Sequence, residues 1–250
     1  MIKLSKISTR ALKSLDKEAA KEATKDLIER IGALQNMLYA NGKQSVLVIL
    51  QGMDGSGKDG TTRALFHDCS PSGVRVTSFK KPSEEEFAHD FLWRIHKNAP
   101  EKGQIAVFNR SQYEDILIQH VHGWIDDAKR ERRMASINAF ETLLQEDNAT
   151  VIVKMMLHIS PETQLEKLQE RVDNPKKYWK HNDGDWAERK LWDKYEAAYE
   201  YALNNSTTPW YIIPADQEWH RDYTAAKVLC EALEKMKLTM PPLVSELFKK

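Results

Sequence analysis

The segment Gly52-Met-Asp-Gly-Ser-Gly57-Lys58 restricts this 250-residue chain more than any other feature. It follows directly on Ser45-Val-Leu-Val-Ile-Leu50, a β-branched run of strand length, and leads into a helical stretch over 58–68. Gly-x-x-x-x-Gly-Lys between a buried strand and a helix is the pattern of a phosphate-cradling loop. The glycines let the backbone curl so that its N–H groups point inward, the helix start adds partial positive charge, and Lys58 adds a full one. A tight turn that binds nothing would not need a lysine there. Gly55, Ser56, Gly57, Lys58, Asp59 and Gly60 are therefore the candidate phosphate-binding segment.

Asp59 stands where such loops usually carry the Ser or Thr that meets magnesium, with Thr61 and Thr62 just beyond. Asp54 and Asp59 flank the cradle and could orient water on Mg2+ or repel a misplaced anion. The competing readings are a solvated turn carboxylate for Asp54 and, for Asp59, a first-turn carboxylate favoured by the helix dipole.

The rest of the chain repeats the strand–helix unit. Short apolar runs at 74–79, 104–108, 150–157 and 210–214 alternate with helices expected near 84–97, 112–122, after Ser160-Pro161-Glu162, and over 218–236. Leu12, Leu15, Ala19, Ala23, Leu27, Ile31, Leu34 and Leu38 predict a helix over 11–38, stopped by Asn41-Gly42. A further helix is expected over 128–146. The sum is an α/β fold of three layers, a parallel sheet of about five strands covered by helices on both faces. No domain boundary or repeat interrupts residues 1–250, so one domain is expected, with the helix at 11–40 and a lid segment at 171–186.

In an open parallel sheet the strand at 104–108 delivers its carboxyl end to the same crevice as the glycine loop. The sequence there is Asn109-Arg110-Ser111-Gln112-Tyr113-Glu114-Asp115. Arg110 can offer several donors to phosphate; Glu114 and Asp115 can supply metal or water ligands, or hold an acceptor. A structural ion pair for Arg110 and first-turn electrostatics for the acidic pair are the alternatives. Lys80 and Lys81 end the 74–79 strand at the same rim, and the sequence does not separate a catalytic from a surface lysine. The turn-rich stretch 171–186 carries Arg171, Lys176, Lys177 and Lys180 against Asp173 over its first ten residues, a net of plus three. It reads as a mobile basic flap able to close over a charged substrate, or else as a solvated loop. His120 and His122 have no Cys or acidic partners that complete a zinc set.

The 37 Lys+Arg and 37 Asp+Glu balance, which argues against a general polyanion or anionic-membrane surface while permitting a local one. The longest apolar run near the N-terminus is too short to span a bilayer, and the two cysteines, Cys69 and Cys230, suggest no disulfide framework. A cytoplasmic location is expected, with no membrane or nucleic-acid partner; Tyr178-Trp179 beside Lys177 and Lys180 is too short a patch for the latter.

GMDGSGKDG at 52–60, SFKKP at 78–82, HDFLWRIHK at 89–97, FNRSQYED at 108–115, INAFE at 137–141, and RVDNPKKYWK, DW and LWDKYEAAYE within 171–200 together resemble the polyphosphate kinase 2 family. The resemblance runs from about 30 to 235. It implies a phosphate-loop kinase-like three-layer core with a helical basic lid, and reversible Mg2+-dependent (or Mn2+-dependent) transfer between inorganic polyphosphate and nucleotides without a covalent enzyme intermediate. It implies that the loop handles polyphosphate, with the nucleotide between core and lid. Asp54, Lys58 and Asp59 would take the loop roles, Lys80 and Arg110 would grip phosphate, with Lys81 beside them, and Arg171, Lys177 and Lys180 would guide the chain. Asn109, Arg110 and Glu114 would meet the nucleotide, and Asp54, Glu114 and Asp115 the metal; Asp54, Lys58, Arg110, Glu114 and Asp115 form the expected catalytic set. Many relatives carry Asp at the position of Asn109 and lack the acidic pair. Asn109 with Glu114 and Asp115 is similar to the subgroup that phosphorylates both nucleoside mono- and diphosphates, so AMP and ADP are the expected acceptors. A homodimer or homotetramer is implied as well. The alternative enzyme is an ATP-dependent nucleotide kinase of the thymidylate kinase type, against which Asp59 and the basic flap argue.

Overall fold

A computed structural model describes residues 1–245, 247 and 248. Five parallel strands, β1 (Ser45–Gln51), β2 (Val74–Ser78), β3 (Ile105–Asn109), β4 (Thr150–His158) and β5 (Trp210–Pro214), form one sheet in the order β2-β3-β1-β4-β5. Every residue of β1 is buried, as its unbroken apolar run requires at the centre of a sheet covered on both faces. Val48 lies between Val107 of β3 and Val153 of β4, so the register carries the ends of β1 and β3 side by side to one rim.

The covering helices are α1 (Lys17–Asn41), α2 (Lys58–Leu65), α3 (Asp127–Asp147), α4 (Pro161–Asp173), α5 (Asp183–Arg189), α6 (Trp192–Asn205) and α7 (Glu218–Lys235). α1 starts six residues later than its apolar spacing predicts. Asp16 accepts the Ala19 N–H at 2.7 Å and so caps the helix, leaving Leu12 exposed ahead of it. Residues 2–11 serve instead as a strap: Leu4 is buried, its N–H donates to Glu200 of α6, Thr9 donates to Asp216, and the Ala11 N–H donates to Gln217. At its other end α1 stops as expected, with Gly42 at φ 62 donating its N–H to Leu38.

Two other expectations are corrected. The helix expected over 84–97 is two single turns, Glu84–Phe87 and Trp93–His96, interrupted where the Asp90 side chain captures the Leu92 N–H. The helix expected over 112–122 is likewise a 3-10 turn, Gln112–Asp115, followed by Ile118–Val121, because the Ser111 hydroxyl takes the Tyr113 N–H at the start. The 171–186 lid segment is helical, as expected: α4 continues to Asp173, Pro175–Lys180 is a 3-10 turn, and α5 begins at Asp183 with Asn182 as its cap.

Inside the core, β4 buries Lys154 completely. Its ammonium donates to Glu141 of α3 and to the Tyr113 hydroxyl, both at 2.6 Å, and Tyr113 donates in turn to Glu141 at 2.8 Å. Each charge in this triangle has a partner, the condition for tolerating it in an apolar interior.

Candidate active site

The loop leaves β1 at Gly52, whose φ of 152° and surroundings both demand glycine: a Cβ there would lie 2.6 Å from the Leu157 carbonyl oxygen. Gly57, at φ 91°, caps the start of α2, and a Cβ on it would fall 2.0 Å from Nη1 of Arg221. The loop thus curls between β1 and the N-terminus of α2, where free backbone N–H groups can meet an anion. Lys58 lies across it, donating to the carbonyls of Gly52 at 2.8 Å and Met53 at 3.3 Å. Burial first, then the nearby Arg110 charge, bring its ammonium down to about 8, against the pull of Asp54, Glu114 and Asp59.

Asp59 accepts the side-chain amide of Asn109. This ties the end of β3 to the first turn of α2. The Thr61 and Thr62 hydroxyls turn back onto the carbonyls of Gly57 and Lys58, within their own helix.

Arg110 is the next residue, and it adopts φ 61°, a left-handed conformation that costs a non-glycine residue on the order of 1 kcal/mol or more. The turn brings its guanidinium over the loop, where Nη2 donates to Asp54 at 2.5 Å and Nη1 stands 3.8 Å from Glu114. Glu114 foremost, with Asp54, holds the Arg110 guanidinium above its ordinary value in spite of burial. Burial pushes the Asp54 carboxyl up, but Arg110, Lys58 and Arg171 outweigh it and keep the group ionised below its usual range.

Asp115 is placed elsewhere. It is 4% exposed and does not line the cleft; its carboxylate accepts from Gln119 at 2.6 Å and stands 3.9 Å from Arg94 and 3.8 Å from Arg133. Burial raises its carboxyl to about 6 in spite of both arginines. The 3-10 turn separates the acidic pair, aiming Glu114 at the cleft and Asp115 into the protein. Lys80 and Lys81 are exposed at the end of β2, outside the cleft lining; the Lys80 carbonyl is held by Arg94 at 2.8 Å.

The lid cations carry partners of their own. Arg171 pairs with Asp185 of α5 at 2.5 Å, Lys177 pairs with Glu170 at 2.6 Å, and Lys180 lies 5.0 Å from the ring centre of Trp179. Arg171 is the one among them whose charge is felt at Asp54.

Between core and lid lies an open cleft of about 240 Å³, lined by Asp54, Arg110 and Glu114 and by residues the sequence did not single out. Gln164 of α4 donates to the Asp54 carbonyl at 2.9 Å and accepts from Arg189 of α5 at 3.0 Å, so the loop and the lid share a bridge. Glu188 accepts from Tyr195 at 2.5 Å and lies 3.0 Å from Nε2 of His122, which accounts for one of the two histidines; His120 meets Asp127 instead. Trp192, Tyr195 and Tyr199 line the cleft from α6. Their spacing of three and four in LWDKYEAAY is the signal that could have found them.

Among the described residues no group of three or more His, Cys, Asp or Glu forms a metal cage. The ionised Asp54 beside Glu114 nonetheless suits Mg2+, which takes one or two carboxylates and completes its shell with phosphate oxygens and water.

The family model of polyphosphate kinase 2 matches residues 14–241. An AMP/ADP-polyphosphate phosphotransferase from Meiothermus ruber is 46% identical over 228 residues, covering 90% of this chain and 85% of that protein. An ADP-polyphosphate phosphotransferase from Rhodopseudomonas palustris is 39% identical over 240 residues, covering 90% and 83%. The crystal structure of a polyphosphate kinase 2 from Arthrobacter aurescens superimposes with a TM-score of 0.93 at 40% identity, covering 98% of this chain and 89% of that one.

Proposed function

The chain belongs to the polyphosphate kinase 2 family, and from that we propose that it is a phosphotransferase moving the terminal phosphoryl group of inorganic polyphosphate reversibly onto AMP and ADP. The observation that carries this reading is the junction of β1 and β3. It brings Gly52, Met53 and Asp54 of the loop together with Arg110 and Glu114 in the lining of one cleft, with Lys58 packed on the carbonyls of Gly52 and Met53 behind them.

In this reading the loop amides and Lys58 hold the donor's terminal phosphates. Arg110 spans donor and acceptor and meets the charge that grows on the equatorial oxygens. A phosphate oxygen of AMP or ADP, already ionised near neutral pH, attacks the terminal phosphorus in line. The bond to the bridging oxygen breaks, and its electron pair stays on the shortened chain. No proton need be removed, so Asp54 and Glu114 act as holders: they orient Arg110 and are the residues that would bind Mg2+, whose charge neutralises the phosphate oxygens. Arg171, together with the flap lysines Lys177 and Lys180, closes on the chain from the lid, and α6 with Glu188 and Arg189 borders the nucleoside. Lys80 and Lys81 stand at the outer rim as donor contacts reached when the lid moves, and Asn109 acts through Asp59. Asp115, turned away from the cleft onto Gln119, Arg94 and Arg133, acts on the structure and not on substrate or metal.

We further propose a homodimer or homotetramer working in the cytoplasm; no helix among the described residues is long and apolar enough to cross a membrane. The test is an assay with Mg2+, AMP or ADP, and either polyphosphate or ATP as donor, each product followed separately. Polyphosphate-dependent formation of both ADP and ATP is expected. Transfer from ATP alone would overturn the reading.

A further inference from the structure

Arg221 lies in the first turns of α7, far in sequence from the loop it touches. It is 5% exposed, and its guanidinium packs against the first turn of α2: Nη1 and Nη2 lie where Cβ atoms on Gly57 and Gly60 would be met at 2.0 and 3.1 Å. Nε and Nη2 are both spent on one carboxylate, that of Asp222, at 2.9 and 2.8 Å. Nη1, the atom against Gly57, takes no part in those contacts.

A helix N-terminus and a lysine already concentrate positive charge at the loop, and Asp222 balances the Arg221 charge through Nε and Nη2 only, so Nη1 is the edge left to meet a further anion there. A single phosphate in the cradle is served by the loop amides and Lys58, but a polyphosphate chain brings further charged units that must lie somewhere along the loop. Resting on the proposed use of polyphosphate, we infer that Arg221 is a phosphate-binding residue whose Nη1 holds the donor chain at a unit beyond the one seated over Lys58. Asp222 keeps the guanidinium turned toward the loop, and Gly57 and Gly60 are glycines partly so that it can lie flat there. Arg221 would then read the donor and not the acceptor.

The experiment compares wild type, Arg221→Lys and Arg221→Met, varying long-chain polyphosphate or tripolyphosphate at saturating ADP, then varying ADP. Loss of one charge-assisted contact predicts a rise of about tenfold or more in KM for polyphosphate in R221M, a smaller rise in R221K, and kcat and KM for ADP within about twofold of wild type. Calorimetric titration with tripolyphosphate, without acceptor, should show the same order of Kd. An unchanged KM and Kd for the donor would overturn the inference. So would an equal fall of kcat in both variants with donor KM unmoved, which is the signature of a group that only shapes the loop. R221K keeps the charge, so the comparison survives if R221M folds poorly. A wild type inactive with polyphosphate but active with ATP would sink the donor reading itself, a result separate from a working wild type with an indifferent Arg221.

Discussion

The Asn109 side-chain amide donates to the Asp59 carboxylate, joining the last residue of β3 to the second residue of α2. The pair explains why an acidic residue is accommodated directly after Lys58: its role here is to fix the angle between the loop and the strand that carries Arg110.

Asn109→Asp would set two carboxylates face to face at that joint. A stability loss of about 1–3 kcal/mol at pH 7 is expected, easing as pH falls and one carboxyl protonates. Denaturant unfolding of N109D, D59N and the exchanged double variant checks it; recovery in the double variant is the specific outcome.

Replacing Arg110 tests the charge-stabilising role. Arg110→Lys keeps one positive charge but loses the fork that reaches Asp54 and Glu114, and should lower kcat by roughly 100-fold or more while leaving the melting temperature nearly unchanged. A kcat within threefold of wild type would remove Arg110 from the reaction.

Lys58 gives the site a basic limb. Its ammonium, brought down to about 8, is charged below that pH and loses its proton above it, so kcat/KM for polyphosphate should fall as pH rises through about 8. The profile reports the free enzyme, and the kcat limb should lie higher, because bound phosphate favours the charged form.

Asp115 makes the opposite kind of prediction, about stability. Its folded value of about 6 lies above the ordinary 3.8, so the stability it lends is full below about 4 and is lost as pH rises through 6. Asp115→Asn, which mimics the protonated acid, should gain on wild type by on the order of 1–3 kcal/mol between pH 4 and pH 7. Activity of the folded variant should persist, since the side chain lies outside the cleft.

Breaking the buried triangle should be costly. Lys154→Met leaves Glu141 charged and sealed from water, and a loss of about 3–5 kcal/mol is expected in thermal or denaturant unfolding. A loss under 1 kcal/mol would mean that Glu141 finds another partner.

The strands and the loop were legible because each is local: Val46–Leu50 must be buried on both faces, and Gly52, Gly57 and Lys58 lie within seven residues. Arg110 could be placed for the same reason, one residue past a strand. The separation of Glu114 from Asp115 was not legible, because it depends on a 3-10 turn set by the Ser111 hydroxyl and on Arg94 and Arg133 arriving from elsewhere in the chain. The α1 start was misplaced because Leu12 and Leu15 keep the helical spacing on the wrong side of the Asp16 cap. Gln164, Glu188, Arg189 and Arg221 have meaning only once α4, α5 and α7 stand around the loop.

The Arg171–Asp185 pair has one more consequence. Asp185 sits on the lid arginine as a tethered anion, at an effective concentration of about millimolar, while burial and the neighbouring Asp54 make its ionised form uncomfortable. A free orthophosphate must compete with that built-in occupant from bulk solution and with one charge site. A chain already seated in the loop competes from within the same complex. On the proposed function, affinity for the polymer would then be set by an internal rival as well as by added attraction.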